Sequence, residues 1–428
     1  MSTLPDPLVI DRVAAPLDVE VVLPGSKSIS NRALICAALA SGSTLIDGLL
    51  DAEDTRAMIE CLTELGATIR QHNATTTEVV GVGGHPAPGR HRLLVRESGT
   101  TARFVTPVCA LGSGTYDVDA APSMRARPMR ATFDALRSMG VEVSDTDGHL
   151  PAGIVTSGVE HASLDLSSSA GTSSQFVSGL LLAGGAMTGG LSIVVGPRPV
   201  SATYLDMTVA VMRSFGATVA ADATGAEFRV GGGYRSLARY QVEPDASAAS
   251  YFFAAAAVCG GRVRVSGLGS TSLQGDARFV GVLAAMGAEV EVGTDFIEVR
   301  SDGRLRGVTV DMSDLSDTAQ TLAAIAPFAH GPTEVTGIGF IRGKETDRIA
   351  AVVTELVRCG VDARETPDGF VIQPGVPVPT LIRTYNDHRM AMSFAVMGLA
   401  ADGISIADPG CVSKTFPGFW DTLATVRP

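Results

Sequence analysis

A chain of 428 residues is more than one ordinary hydrophobic core fills, so two or three domains are expected. At 45% hydrophobic and 18% charged residues, the composition is globular rather than disordered. The formal net charge of −12 disfavours nonspecific binding to nucleic acid or to an anionic membrane surface, yet leaves room for a local basic pocket.

The N-terminus, MSTLPDPLVIDR, has neither a basic region nor an apolar run, so no signal peptide is expected. Pro7 to Leu23 is strand-like and has no helix before it. From Pro24 onward one pattern repeats. A polar entry loop leads into an Ala-rich helix, which ends at Gly and a short strand. A second loop and helix follow, again closed by Gly and a strand. The second helices end in LTELGATI (62–69), LRSMGVEV (136–143), MRSFGATV (212–219), LAAMGAEV (283–290) and LVRCGVDA (356–363). Their glycines, at 66, 140, 216, 287 and 360, are spaced by 74, 76, 71 and 73 residues. Six strands follow the first helices: SGSTLIDG, GSGTYDVDA, TGGLSIVVG, GGRVRVSG, HGPTEVTG and ADGISIAD. The period is too long for the common solenoids and long enough for a compact subdomain with its own sheet. The most apolar stretch, Phe176 to Val195, is broken by Gly184, Gly185, Gly189 and Gly190 and reads as a helix followed by a strand, not a membrane span.

The sixth unit ends early, at DTLATVRP, without a capping Gly or a following strand. The N-terminal segment is therefore expected to supply what the C-terminus lacks. Residues 24–243 would form one half, of repeats one to three. Residues 1–23 with 244–428 would form the other, of repeats four to six. The chain would cross near Leu23 and near Tyr240 to Pro244, with the binding cleft between the halves. The expected class is α/β (α+β).

Polar residues concentrate at two places in each unit. The helix entries carry PGSKSISNR (24–32), RESGTTAR (96–103), AGTSSQF (170–176), EPDASAAS (243–250), DLSDTAQ (314–320) and YNDHRMAM (385–392). The later loops include SMRARP (123–128), GPRPVSATY (196–204), GFIRGKETDR (339–348) and CVSKTFPGF (411–419). A helix N-terminus rich in Ser, Thr and Gly offers free N–H groups and a favourable dipole to an anion. Any single one is better read as an ordinary N-cap; six on one periodic scaffold are not. Among 33 basic side chains only Lys27, Lys344 and Lys414 are lysines, and all three fall in these loops. Lys can titrate where Arg effectively cannot. Arg32, Arg127, Arg348 and Arg389 share the loops, and Arg forks bind carboxylate and phosphate. The implied ligands carry several negative charges.

Other signals are weak. PGSKS lacks the spacing of a phosphate-binding loop, and Gly337, Gly339 and Gly343 lie inside the repeat and do not make a dinucleotide fingerprint. The cysteines at 36, 61, 109, 259, 359 and 411 form no CxxC pair, which points to reduced cytosolic thiols and no zinc. Cys411 lacks an adjacent base, and His388 stands without a second histidine to share a metal.

LPGSKSISNRALICAALA (23–40), TSSQF (172–176), KETDR (344–348), YNDHRMAM (385–392) and KTFP (414–417) resemble, in order, the signatures of the 5-enolpyruvylshikimate-3-phosphate synthase family. The resemblance covers nearly the whole chain. It implies two globular halves, each of three βαβαββ-type repeats in an inside-out α/β barrel-like arrangement. It implies transfer of the enolpyruvyl group of phosphoenolpyruvate to the 5-hydroxyl of shikimate 3-phosphate, with no metal or organic cofactor. Shikimate 3-phosphate is then expected at Lys27, Ser28, Arg32, Ser173, Ser174, Gln175, Ser201, Asp317 and Lys344. Phosphoenolpyruvate is expected at Lys27, Gly99, Arg127, Gln175, Arg348, Arg389 and Lys414. Asp317 matches the acceptor of the hydroxyl proton, and Lys27, Glu345 and His388 match positions lining the reacting centre. Two positions depart from the familiar pattern, Glu97 and Phe340, where bacterial members often carry Asn. A related transferase acting on UDP-N-acetylglucosamine typically has Lys-Asn where this chain has Lys27-Ser28, and often a reactive Cys in the second unit's later loop, absent from Asp119 to Pro128. A non-catalytic anion-binding scaffold predicts eroded proton-transfer residues, yet Asp317, Glu345, Lys27 and His388 are present. The protein is expected to be a cytoplasmic monomer that binds neither nucleic acid nor membrane.

Overall fold

The computed structural model describes residues 4–167, 173–196 and 201–426. It divides into two compact units, one of Gly25–Glu243 and one of Met1–Pro24 with Pro244–Pro428. Both are mixed α/β, built from the same small sheet repeated.

The first helices of the repeats are Lys27–Leu39, Gly99–Cys109, Ser174–Gly184, Ala246–Cys259, Ala319–Ile325 and His388–Ala400. They are buried on every side: all of Ile29–Leu39 and nearly all of Ala246–Val258 are inaccessible. A helix apolar all round belongs in a core, and small Ala side chains let such helices approach closely. Some of the polar groups they carry inward meet one another there, as where Ser250 Oγ lies 3.0 Å from Thr321 Oγ1. The second helices, such as Arg348–Arg358, bury one face and leave the other in solvent. Among the described residues no helix is long and apolar enough to cross a membrane.

Each second helix ends where the sequence pattern places its Gly. Gly66, Gly140, Gly216, Gly287 and Gly360 all have positive φ, from 78° to 112°. A side chain there would strain the turn that reverses the chain into the next strand. In the second repeat the sheet order is Gly89–Leu94, Gly114–Asp119, His149–Thr156, Glu142–Thr146; the first pair is parallel and the others antiparallel. The third and fifth repeats copy this order.

The chain crossings rest on an exchange of edge strands. Leu17–Val21, which precedes the helix Lys27–Leu39, pairs instead with Gly261–Ser266 of the fourth repeat. Arg239–Gln241, which precedes the helix Ala246–Cys259, pairs with Ser41–Asp47 of the first. The sixth sheet receives Leu8–Val9 antiparallel to Ile404–Ile406, with Leu8 opposite Ile406. The N-terminal segment thus completes two sheets of repeats four to six.

Candidate active site

In the unit Gly25–Glu243, the entry loops start helices whose first residues are the expected ligands. Ser26 caps the helix Lys27–Leu39, its Oγ accepting from Ile29 N–H at 3.4 Å. Lys27 Nζ lies 3.5 Å from Asp54 Oδ2, a carboxylate buried beneath it. Ser28 turns its carbonyl to Arg32 Nη1 at 2.8 Å. Arg32 is itself buried, donating to Thr208 Oγ1 (2.7 Å), Ser178 Oγ (3.5 Å) and the Tyr204 carbonyl (3.2 Å) while lying over the Phe104 ring. These partners are all neutral. Burial pulls the guanidinium down to about 10, still protonated at neutral pH. A buried cation whose hydrogen-bond partners among the described residues are neutral oxygens attracts an anion.

Gly99 opens the helix Gly99–Cys109 under its Ser98 cap. A Cβ on Gly99 would sit 2.7 Å from Arg127 Nη1, so only glycine lets this buried guanidinium lie against the helix start. Ser173 caps Ser174–Gly184, its Oγ accepting from Gln175 N–H at 3.4 Å. The Gln175 side chain is aimed by Arg103, whose Nη1 donates to Oε1 at 2.5 Å while the guanidinium stacks 4.8 Å over the Phe176 ring. Ser201 is buried in a left-handed turn at φ 57°. Ser168–Thr172 and Pro197–Val200, parts of two motif loops, lie outside the described residues.

In the other unit, four loops of the fifth and sixth repeats meet. Asp317 sits in the 3-10 turn Ser316–Thr318, Lys344 and Glu345 follow the turn Gly339–Gly343, Arg389 opens His388–Ala400, and Lys414 ends the turn Pro409–Lys414. Arg348 is the hub. Its Nη1 donates to Asp317 Oδ1 (3.2 Å), its Nη2 to Glu345 Oε2 (2.9 Å), and its Nε to Asp387 Oδ2 (2.8 Å). Burial works against its charge, but Asp387, Glu345 and Asp317 outweigh it and raise its proton affinity. Arg389 Nη2 donates to Asp317 Oδ2 (2.7 Å) and its Nη1 to the Asp317 carbonyl (3.1 Å). Lys414 Nζ lies 3.4 Å from Glu345 Oε1. His388 is buried, with Nδ1 3.7 Å from Asp387 Oδ1. One continuous network therefore runs Lys414–Glu345–Arg348–Asp317–Arg389. Burial pushes the nearby Cys411 thiol up to about 12, so it is a poor nucleophile.

Sequence reasoning identified Asp317 and Glu345 but neither Asp387 nor Asp54, nor the role of Arg103. Asp387 stood in the YNDHRMAM string without a role, Asp54 in no motif, and Arg103 had no assigned target. Their signals exist only in three dimensions, since Asp54 meets Lys27 from the other helix of its own repeat and Arg103 meets Gln175 across repeats. A depression of about 750 Å³ on the sheet face near Arg90 and Asp145 offers no comparable chemistry, because Arg90 is already paired with Asp117 at 3.0 Å.

The family model described as EPSP synthase (3-phosphoshikimate 1-carboxyvinyltransferase) matches residues 12–423. A protein of Nostoc punctiforme named 3-phosphoshikimate 1-carboxyvinyltransferase is 44% identical, covering 97% of this chain and 98% of its own. One of the same name from Shewanella baltica is 41% identical, covering 95% and 96%. The solved EPSP synthase of Acinetobacter baumannii superposes with a TM-score of 0.81 at 26% identity, over 99% of this chain and 98% of that one. The enolpyruvyl transferase NikO of Streptomyces tendae shares the fold, with a TM-score of 0.76 at 18% identity, over 98% and 97%.

Proposed function

The chain belongs to the EPSP synthase (3-phosphoshikimate 1-carboxyvinyltransferase) family, and from that premise we propose that the network centred on Arg348 carries out the enolpyruvyl transfer. The reaction joins phosphoenolpyruvate to the 5-hydroxyl of shikimate 3-phosphate and releases phosphate. The observation that carries the assignment of residues is the run of ion pairs from Lys414 through Glu345, Arg348 and Asp317 to Arg389.

The hydroxyl oxygen attacks C2 of phosphoenolpyruvate and gives its proton to Asp317. C3 gains a proton, and a tetrahedral intermediate forms. Loss of a C3 proton and cleavage of the bond from C2 to the phosphate oxygen then restore the enol ether. Asp317, held from both sides by Arg348 and Arg389, has a fixed orientation for the first transfer. Glu345, in contact with Lys414, serves the proton traffic at C3. Arg348, Arg389 and Lys414 stabilise the anionic substrate, intermediate and leaving phosphate; Lys27, Gly99, Arg127 and Gln175 are the residues proposed for phosphoenolpyruvate in the unit Gly25–Glu243. Lys27, Ser28, Arg32, Ser173, Ser174, Gln175, Ser201, Asp317 and Lys344 hold shikimate 3-phosphate, and the buried His388 lines the reacting centre beside Asp387. The protein acts in the cytoplasm as a monomer.

Phosphate should appear only when both substrates are present, without added metal. Release that requires UDP-N-acetylglucosamine in place of shikimate 3-phosphate would overturn this reading.

A further inference from the structure

The turn that delivers Asp387, His388 and Arg389 is strained. Two consecutive non-glycine residues occupy the left-handed region, Tyr385 at φ 55° and Asn386 at φ 54°. Neither residue is glycine, and for Tyr385 in particular this conformation is unfavourable, so the turn needs support from its surroundings. On one side the support is Arg348, which donates to Asp387 Oδ2 at 2.8 Å and Oδ1 at 3.3 Å. Asp387 in turn caps the helix, accepting from Arg389 N–H at 2.9 Å. On the other side is Glu355, a fully buried carboxylate on the same helix, Arg348–Arg358. Its Oε1 accepts from the Tyr385 hydroxyl at 2.7 Å, its Oε2 accepts from Arg383 N–H at 3.1 Å, and Arg358 neutralises it.

Arg348 and Glu355 are seven residues apart on one helix, two turns along the same face. A single rigid element thus grips the strained turn at both ends. We infer that Glu355 is a positioning residue for the reaction: acting through Tyr385, it holds the left-handed turn that aims Arg389 at the ligand and sets the distance between Arg389 and Arg348. The identity of that ligand as phosphoenolpyruvate rests on the reading above. Forked recognition of an anion tolerates little displacement, so slackening the turn costs affinity for the ligand that uses these arginines. Shikimate 3-phosphate leans mainly on other residues and is affected less.

Tyr385→Phe removes one bond at a residue 38% exposed, and the fold survives it. Its KM for phosphoenolpyruvate should rise about fivefold and that of Glu355→Gln on the order of tenfold, the scale of one lost hydrogen bond and of a buried donor left facing the wrong group. The KM for shikimate 3-phosphate should hold. The double variant should be no worse than Glu355→Gln alone, because both changes break one linkage. Amide exchange at residues 386–391 should quicken in each variant. Unchanged KM for phosphoenolpyruvate and unchanged exchange in Tyr385→Phe, whatever happens to Tm, would overturn the inference and reduce Glu355 to a core support. If Glu355→Gln does not fold, Tyr385→Phe still decides. If the wild-type protein turns over neither substrate, the reaction assignment fails, while the exchange measurement still decides whether the turn is clamped.

Discussion

Asp276 lies in the 3-10 turn Gly275–Arg278 at the start of the fourth repeat's second helix, 5% exposed, and accepts a hydrogen bond from Ser247 Oγ. Gln274 pins the same turn to the chain crossing, its Nε2 donating to the Pro244 carbonyl at 2.7 Å and its Oε1 accepting from Ala246 N–H at 3.0 Å. Burial first, and the negative charge of Asp317 second, push the Asp276 carboxyl up to about 7, against the pull of Ser247 and Arg389. A carboxyl raised above its unfolded value contributes stability that is full below the ordinary carboxylate range. That contribution is lost as pH rises through about 7. Wild-type stability should therefore fall between about pH 4 and about pH 7 more steeply than that of Asp276→Asn, by an amount on the order of a few kcal/mol. Parallel pH profiles from denaturant unfolding would show that Asp276 carries no proton there. Nothing in the sequence around Asp276 marks it, because its environment is made by Ser247, Asp245, Asp317 and Arg389 from other turns. The lysines are the opposite case: their rarity, with all three falling in the polar loops, singled out Lys27, Lys344 and Lys414.

At the level of elements, the repeat was legible because glycine is a backbone signal. A helix that must turn sharply into a strand needs positive φ just past its end, and the five expected glycines have it. Gly140 isolates that requirement, with φ 83° and nothing within 4 Å of where a Cβ would stand. Gly140→Ala should therefore lose about 1–2 kcal/mol in denaturant unfolding, purely from the left-handed backbone, with turnover intact. A neutral change would mean that the turn relaxes readily to negative φ. The edge strands were harder to read. Leu8–Val9 and Arg239–Gln241 are two and three residues long, too short to show an alternation, and their pairing is settled by partners hundreds of residues away. The entry to the fifth repeat also departs from the pattern. Asp317 stands in a 3-10 turn before a short helix, Ala319–Ile325, a local adjustment that faces its carboxylate toward Arg348 and Arg389.

At the scale of the molecule, one small α/β unit repeated along the chain leaves its variable loops to gather chemistry. The sequence shows those loops as rich in cations, with Asp317 and Glu345 among them; the folded chain pairs these charges and adds Asp387. Arg348, Arg389 and Lys414 share contacts with Asp317, Glu345 and Asp387, three charges of each sign. That balance was hidden because partners such as Glu345 and Lys414 lie far apart in sequence. Its consequence is chemical: the guanidinium groups that receive an anionic substrate are already oriented, and the carboxylates they hold are fixed in place to move protons. The central claim is that Asp317, so held, takes the proton of the attacking hydroxyl. It is tested most directly by phosphate release from wild type and Asp317→Asn at saturating shikimate 3-phosphate and phosphoenolpyruvate, with shikimate 3-phosphate binding measured alongside. The account predicts release at least about 100-fold slower in the variant, with the substrate still bound; a near-wild-type rate in Asp317→Asn would contradict it.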